Sequence, residues 1–188
     1  MPAGRPIEVI VSAEVLVAAL SRVSPAAVVF PAMPPKTADP YGDVIGAFVG
    51  AEGDFSLITS EEILAQTVTA LTDRRGPAWA FDAAEDAVEL ICGIASASGG
   101  GIVQPASRVQ LPKTGAVLAA ALRAAASPDL GFPRVVVTAD PDAPVLRAWT
   151  PRGVPWPAAE VVTILSPSRF RDFVEQARWR YRRHGSPE

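Results

Sequence analysis

The run Arg134-Val-Val-Val-Thr-Ala-Asp-Pro-Asp142 constrains this chain more than any other stretch. Three consecutive valines, with a charge before them and Pro141 close behind, show no alternation of apolar and polar positions. A short strand of that kind is stable where both of its faces are covered, as in the interior of a parallel sheet. Asp140 and Asp142 come where the strand ends, so both are expected to project from the carboxyl edge of that sheet, the edge where open α/β folds hold their ligands. Asp after a strand is also a common turn former and helix cap, and Pro141 strengthens that plainer reading. The two roles are compatible.

Similar short apolar segments alternate with helical patterns along the chain. Residues 7–11 read as a strand, and Ser12 is placed to cap a helix over 13–22. Five prolines between Pro25 and Pro40 exclude a helix there and leave an irregular connection, with an extended piece at 28–30. A helix follows over 41–49, then a strand over 55–58. Thr59 and Glu62 have capping-box spacing for a helix reaching Asp73, with Leu64, Val68 and Leu71 as its buried stripe. Asp82 and Glu85 repeat that spacing ahead of an amphipathic helix over 82–97, marked by Phe81, Ala84, Val88, Ile91 and Ala95. The glycines at 99–101 lack the Lys-Ser or Lys-Thr of a phosphate-binding loop and read as a hinge. An alanine-rich helix spans 113–126, the central strand 134–138, a short helix lies near 143–148, and a last strand covers 161–165. Ser166 caps the closing helix, with Pro167 at its first position and Phe170, Phe173, Val174, Ala177 and Tyr181 along one side. This alternation predicts a mainly parallel central sheet with helices on both faces, in one domain over 7–178. Residues 1–6 and 179–188 are read as an N-terminal tail and a basic C-terminal tail.

The 188 residues, 49% of them hydrophobic, are enough for one substantial core. Glu8 and Glu14 interrupt the opening twenty residues, so neither a leader peptide nor a membrane span is expected, and the location is read as cytoplasmic. One cysteine, Cys92, and one histidine, His184, exclude an intramolecular disulfide, a Cys/His zinc cluster and a core histidine triad. Any metal would have to be held by oxygen. Charge is uneven: residues 169–183 carry six arginines against Asp172 and Glu175, a local +4, which leaves −7 on the rest for the net −3.

The segments Val11-Ser12-Ala13-Glu14-Val15-Leu16-Val17, Leu57-Ile58-Thr59-Ser60-Glu61-Glu62-Ile63-Leu64-Ala65-Gln66, Val137-Thr138-Ala139-Asp140-Pro141-Asp142 and Ile164-Leu165-Ser166-Pro167-Ser168-Arg169-Phe170 stand in an order and spacing that resembles a PIN domain, over nearly the whole chain. The resemblance implies a three-layer α/β/α sandwich. It also implies kinship with magnesium-dependent ribonucleases, among them toxins of bacterial toxin and antitoxin pairs. In that family a few carboxylates converge on one sheet edge, where a hard divalent cation lets them stay ionised together and binds the scissile phosphate. Carried onto this chain, the family's acidic positions fall on Ser12, Gln66, the neighbourhood of Thr114, and Asp140. Only the last is an acid, with Asp142 beside it. Serine, glutamine and threonine retain hydrogen bonding and lose charge, the pattern of a site that has given up its metal.

Glu14 is the nearest substitute acid. Helix geometry turns it well away from Ser12, and irregular helix entry leaves a return open. Asp129 is expected at the opposite edge, and Asp39 and Asp43 on or beside the proline-rich connection. A serine nucleophile at Ser12 would have no histidine base. On the last helix Arg171, Arg178 and Arg182 share a side, near Trp179 and Tyr181. That surface suits RNA phosphates and bases, and equally a solvated helix end or a contact for an acidic partner. The expectation is a catalytically degenerate PIN-like module that binds a protein, such as an antitoxin-like partner, or RNA, and needs no cofactor. The alternative is an endoribonuclease toxin using magnesium or manganese on Asp140 and Asp142 with Glu14. A third role, as a homodimer or scaffold, remains open.

Overall fold

The computed structural model describes residues 6–20, 40–49, 54–75, 80–140 and 147–184; the side chains of 49, 74–75, 80–83 and 178–184 lie outside that description. The strands are β1 (Ile7–Val11), β2 (Phe55–Thr59), β3 (Gly101–Ile102), β4 (Arg134–Val137), β5 (Ala148–Trp149) and β6 (Val162–Leu165). The helices are α1 (Ala13–Leu20), α2 (Pro40–Val49), α3 (Glu61–Arg75), α4 (Ala80–Ala97), α5 (Ala116–Ala125) and α6 (Pro167–His184). The six strands form one sheet in the order β3-β2-β1-β4-β6-β5, parallel throughout except for the antiparallel β5–β6 pair.

Burial explains the layering. Val9, Ile10 and Val11 are consecutive and all fully buried, as are Val136 and Val137 beside them. Successive strand side chains point to opposite faces, so helices must cover both, and the fold is a three-layer α/β/α sandwich. α5 packs on β1 and β4, while α2 and α4 pack on β2 and α2 also meets α6. Phe170 of α6, wholly buried, lies 6.3 Å from Phe48 and 5.9 Å from Phe55 between ring centroids. α1 buries Ala13, Val15, Leu16, Val17 and Ala19, an apolar surface too broad for a helix with one wet face. Glu14 is its single charged residue.

Strand order sets where a ligand could enter the sheet. The chain lays β2 and then β3 on one side of β1, then crosses to place β4 on the other. Two connections therefore leave the carboxyl ends of β1 and β4 in opposite directions, opening the crevice in which such sheets bind ligands.

Several local expectations change. Thr59 is the last residue of β2, and Ser60 caps α3 instead: its Oγ accepts from Ile63 N at 3.4 Å and its carbonyl from Leu64 N at 3.0 Å. Glu62 does not reach back to a cap; it grips Arg123 of α5 through both carboxylate oxygens. The alanine-rich helix begins at Ala116, three residues late, because Gly115 is extended at its N-cap. Ala148 lies in β5, which carries Trp149 into the core, not in a short helix; residues 143–146 lie outside the described residues, as do 28–30. The glycines at 99–101 form a tight turn into β3. A Cβ on Gly100 would meet the Leu57 carbonyl oxygen at 1.9 Å, which only glycine avoids. Among the described residues no helix is long and apolar enough to cross a membrane.

Arg134 locks the amino end of β4. It is 3% exposed, and its guanidinium donates to the carbonyls of Gly131 (2.7 Å), Ala125 (2.5 Å), Ser127 (3.0 Å) and Leu130. Two of these carbonyls lie at or just past the C-terminus of α5, where backbone acceptors are otherwise left over and a cation suits the helix dipole. The guanidinium carbon also stands 4.3 Å from the ring centre of Phe132 and 4.7 Å from that of Trp156. Burial pushes the Arg134 pKa down from its ordinary value, against the opposing pull of Glu8 and Glu160.

Candidate functional site

At the carboxyl ends of β1 and β4 the backbone hands its hydrogen bonds to side chains. Ser12 N still donates to Val137 O at 3.0 Å, and the Ser12 carbonyl accepts from Val15 N and Leu16 N to start α1. The Ser12 hydroxyl does not cap the helix; its oxygen lies 2.7 Å from Glu14 Oε1 and 3.0 Å from Val137 O, and its one proton is shared between them. Across the crevice, Thr138 Oγ1 donates to Glu14 Oε1 at 2.6 Å and accepts from Asp140 N at 3.2 Å, while Ala139 N donates to the same Glu14 oxygen at 3.0 Å. Glu14 thus turns back from the first turn of α1 and staples β1 to β4, the return that helix geometry alone left open. One carboxylate oxygen receives all three donors. The other, Oε2, is buried with no hydrogen-bond partner.

Asp140 stands at the same edge. A methyl group on Gly115 would lie 3.3 Å from Asp140 Oδ2, so this carboxylate sits against the N-cap of α5, where the partial positive charge of the helix end is found. Gly115 supplies no side-chain cap. Gln66 reaches the same helix end from α3: its Nε2 donates to Ala116 O at 3.3 Å, which fixes the amide, since the flipped group would face one oxygen with another. Gln66 Oε1 is then buried without a partner, and so is Thr114 Oγ1, one residue before Gly115. Ser12, Glu14, Gln66, Thr114 and Asp140 are therefore linked through α5's first residues and the ends of β1 and β4. Thr59 Oγ1 is likewise unpartnered at the carboxyl end of β2.

Other nominated acids lie elsewhere. Asp129 bonds around Ser127 beside Arg134, at the opposite edge. Asp43 faces Arg171 at 3.9 Å, and Arg171 also meets Asp172 at 3.8 Å, so this arginine lies among carboxylates of α2 and α6. Asp39 and Asp142 fall outside the described residues, as do the side chains of Arg178 and Arg182. Among the described residues, no group of three or more His, Cys, Asp or Glu side chains is placed to hold a metal ion. Sequence reasoning missed Thr138, whose hydroxyl connects Glu14 to the Asp140 backbone. Its one signal was a hydroxyl directly after the buried valines and two residues before Asp140. It also missed the Glu62 and Arg123 pair that ties α3 to α5.

Comparison with protein-family models, with curated proteins and with solved structures finds no match to this chain.

Proposed function

We propose that the chain is a PIN-like domain with a degenerate catalytic site, acting as a module that binds a protein or an RNA instead of cleaving nucleic acid. The observation that carries this reading is the make-up of the β1/β4 crevice. Three of the four positions that the resemblance assigns to acids hold Ser12, Gln66 and Thr114, and the nearby Glu14 commits one whole oxygen to Ser12, Thr138 and Ala139. Magnesium prefers near-octahedral oxygen coordination, commonly with one or two carboxylates plus substrate phosphates and water. A donor set of one half-engaged carboxylate, Asp140 against a helix end, and neutral oxygens fits that ion poorly.

One observation supports the alternative of a divalent-dependent endoribonuclease using Glu14, Asp140 and Asp142: Glu14 Oε2 is unpartnered at the edge that also bears Asp140. Incubating the full chain with single-stranded RNA in magnesium or manganese, with and without a chelator, separates the two. The binding reading expects no chelator-sensitive cleavage, and RNA affinity, where present, that falls steeply with salt. Cleavage that disappears in Asp140→Ala and with the chelator establishes the enzyme.

A further inference from the structure

We infer that the connection 107–113, between β3 and α5, and the segment 147–153, which includes β5, together form a basic strip that binds the phosphodiester backbone of single-stranded RNA. Such a surface specifies the RNA partner of the binding-module reading and rests on that reading. Acids outnumber Lys and Arg by 20 to 17 over the whole chain, yet the sequence has none between Glu89 and Asp129 and none between Asp142 and Glu160. The fold brings these two acid-free stretches together. Gln110 N donates to Arg152 O at 2.8 Å in an antiparallel bridge, and a Cβ on Gly153 would meet Arg108 O at 2.7 Å, so the backbone at Arg108 runs beside that at Arg152. Lys113 lies three residues past Gln110, hence within about 11 Å of it, and Arg147 five residues before Arg152, within about 18 Å. Arg108, Lys113, Arg147 and Arg152 are all exposed, and none has an ion pair or a side-chain hydrogen bond among the described residues. Arg123, Arg134 and Arg171, by contrast, are each engaged.

The neighbouring acids do not cancel this charge. Glu160 and Asp129 are placed about Arg134. Asp140 stands against Gly115, two residues past Lys113, and counting both it and Asp142 in full against the four cations still leaves +2. The surroundings of the cations select the partner. Beside them the two segments expose Ser107, Gln110, Ala148 and Thr150, while Trp149 is buried and Trp156 is taken up by Arg134. Of the two exposed large apolar side chains among the described residues, Ile102 belongs to β3 and Val161 precedes β6, so neither lies in the strip. A protein partner is held by a desolvated centre of apolar and aromatic groups, which this surface lacks. Unpaired guanidinium and ammonium groups set among hydroxyls and amides are what a phosphate backbone needs. With no aromatic face presented for stacking, the strip grips phosphates and leaves the bases unread. Lys113 carries the charge to within two residues of Gly115, so a strand laid along the strip runs up to the β1/β4 crevice.

The test is fluorescence anisotropy of a labelled oligouridylate titrated with the full chain over a series of salt concentrations, in a chelator that suppresses any metal-dependent cleavage. Affinity should fall linearly on a log–log plot against salt, with a slope of about 0.7 for each phosphate neutralised. Arg108→Gln and Arg152→Gln should each reduce that slope by about 0.7, and together weaken binding about twentyfold at 0.1 M salt. Their Tm should not change, because neither side chain has a partner to lose. Arg171→Gln, whose charge faces Asp43 of α2, should leave the slope as it is. Absence of binding at low salt, an unchanged slope in the double variant, or an equal fall in Arg171→Gln overturns the inference. So does displacement of the RNA by poly-glutamate more readily than by unlabelled oligouridylate, which points to an acidic protein instead. The cleavage assay reports separately. Chelator-sensitive cleavage with binding to the strip intact removes the degenerate-site reading and keeps the surface, whereas no cleavage with no RNA binding removes the surface and leaves a protein as the partner.

Discussion

The two ends of β4 are built on opposite terms. At the amino end Arg134 is almost wholly enclosed, yet it meets four carbonyls and two aromatic faces. At the carboxyl end, a few residues along the same strand, three side-chain oxygens around Glu14 and α5 are buried and unmatched. Glu8 is the amino end's exception: Oε1 accepts from Gly131 N at 2.9 Å, while Oε2 lacks a partner but feels the Arg134 charge. Satisfied polar groups hold a fold together. Unsatisfied ones lower its stability by about 1–3 kcal/mol each and persist where something other than stability keeps them. The difference marks one end of the sheet as scaffold and the other as the place to look for a ligand.

If that contrast is right, the amino end should be by far the more sensitive to substitution. Arg134→Met keeps much of the side chain's bulk but strands several buried carbonyls, and should lower unfolding free energy by about 3–5 kcal/mol in a denaturant titration. A loss under about 1 kcal/mol would erase the distinction between the ends. Thr138→Val tests the stapled part of the carboxyl end. It removes the donor to Glu14 and the acceptor for Asp140 N, and an intermediate loss of about 1–3 kcal/mol is expected by the same measurement. Thr114→Val sharpens the comparison most finely, because it deletes a hydroxyl that has no partner. Stability should stay within about 0.5 kcal/mol of the original or rise. A marked loss would mean that Thr114 is matched after all, and that this end is as complete as the other.

The range of each interaction governs how much of it was legible beforehand. The valines at 135–137 announced a strand covered on both faces because burial of consecutive residues has no other stable solution. Asp140 was found for the same reason, standing where that strand must stop. β3 and β5 were not anticipated. Each is two residues long and carries no periodicity, existing only because β2 and β6 offer it an edge. Glu62 misled because a capping box and a long-range ion pair look alike at that spacing, and Arg123 lies 61 positions away.

The chain's local chemistry was enough to determine that apolar strands alternate with amphipathic helices, that the sheet is mainly parallel, and that a single cysteine and a single histidine leave no intramolecular disulfide or Cys/His zinc cluster to build. These depend on propensity, periodicity and composition, which act over a few residues. Only the folded arrangement decided that Glu14 turns back to join Ser12 with Thr138, 124 positions later, and that Gly115 lets Asp140 approach the start of α5. Hydrogen bonds of that kind depend on where separate strands and helices end relative to one another. That is a property of tertiary packing, which no spacing along the chain encodes.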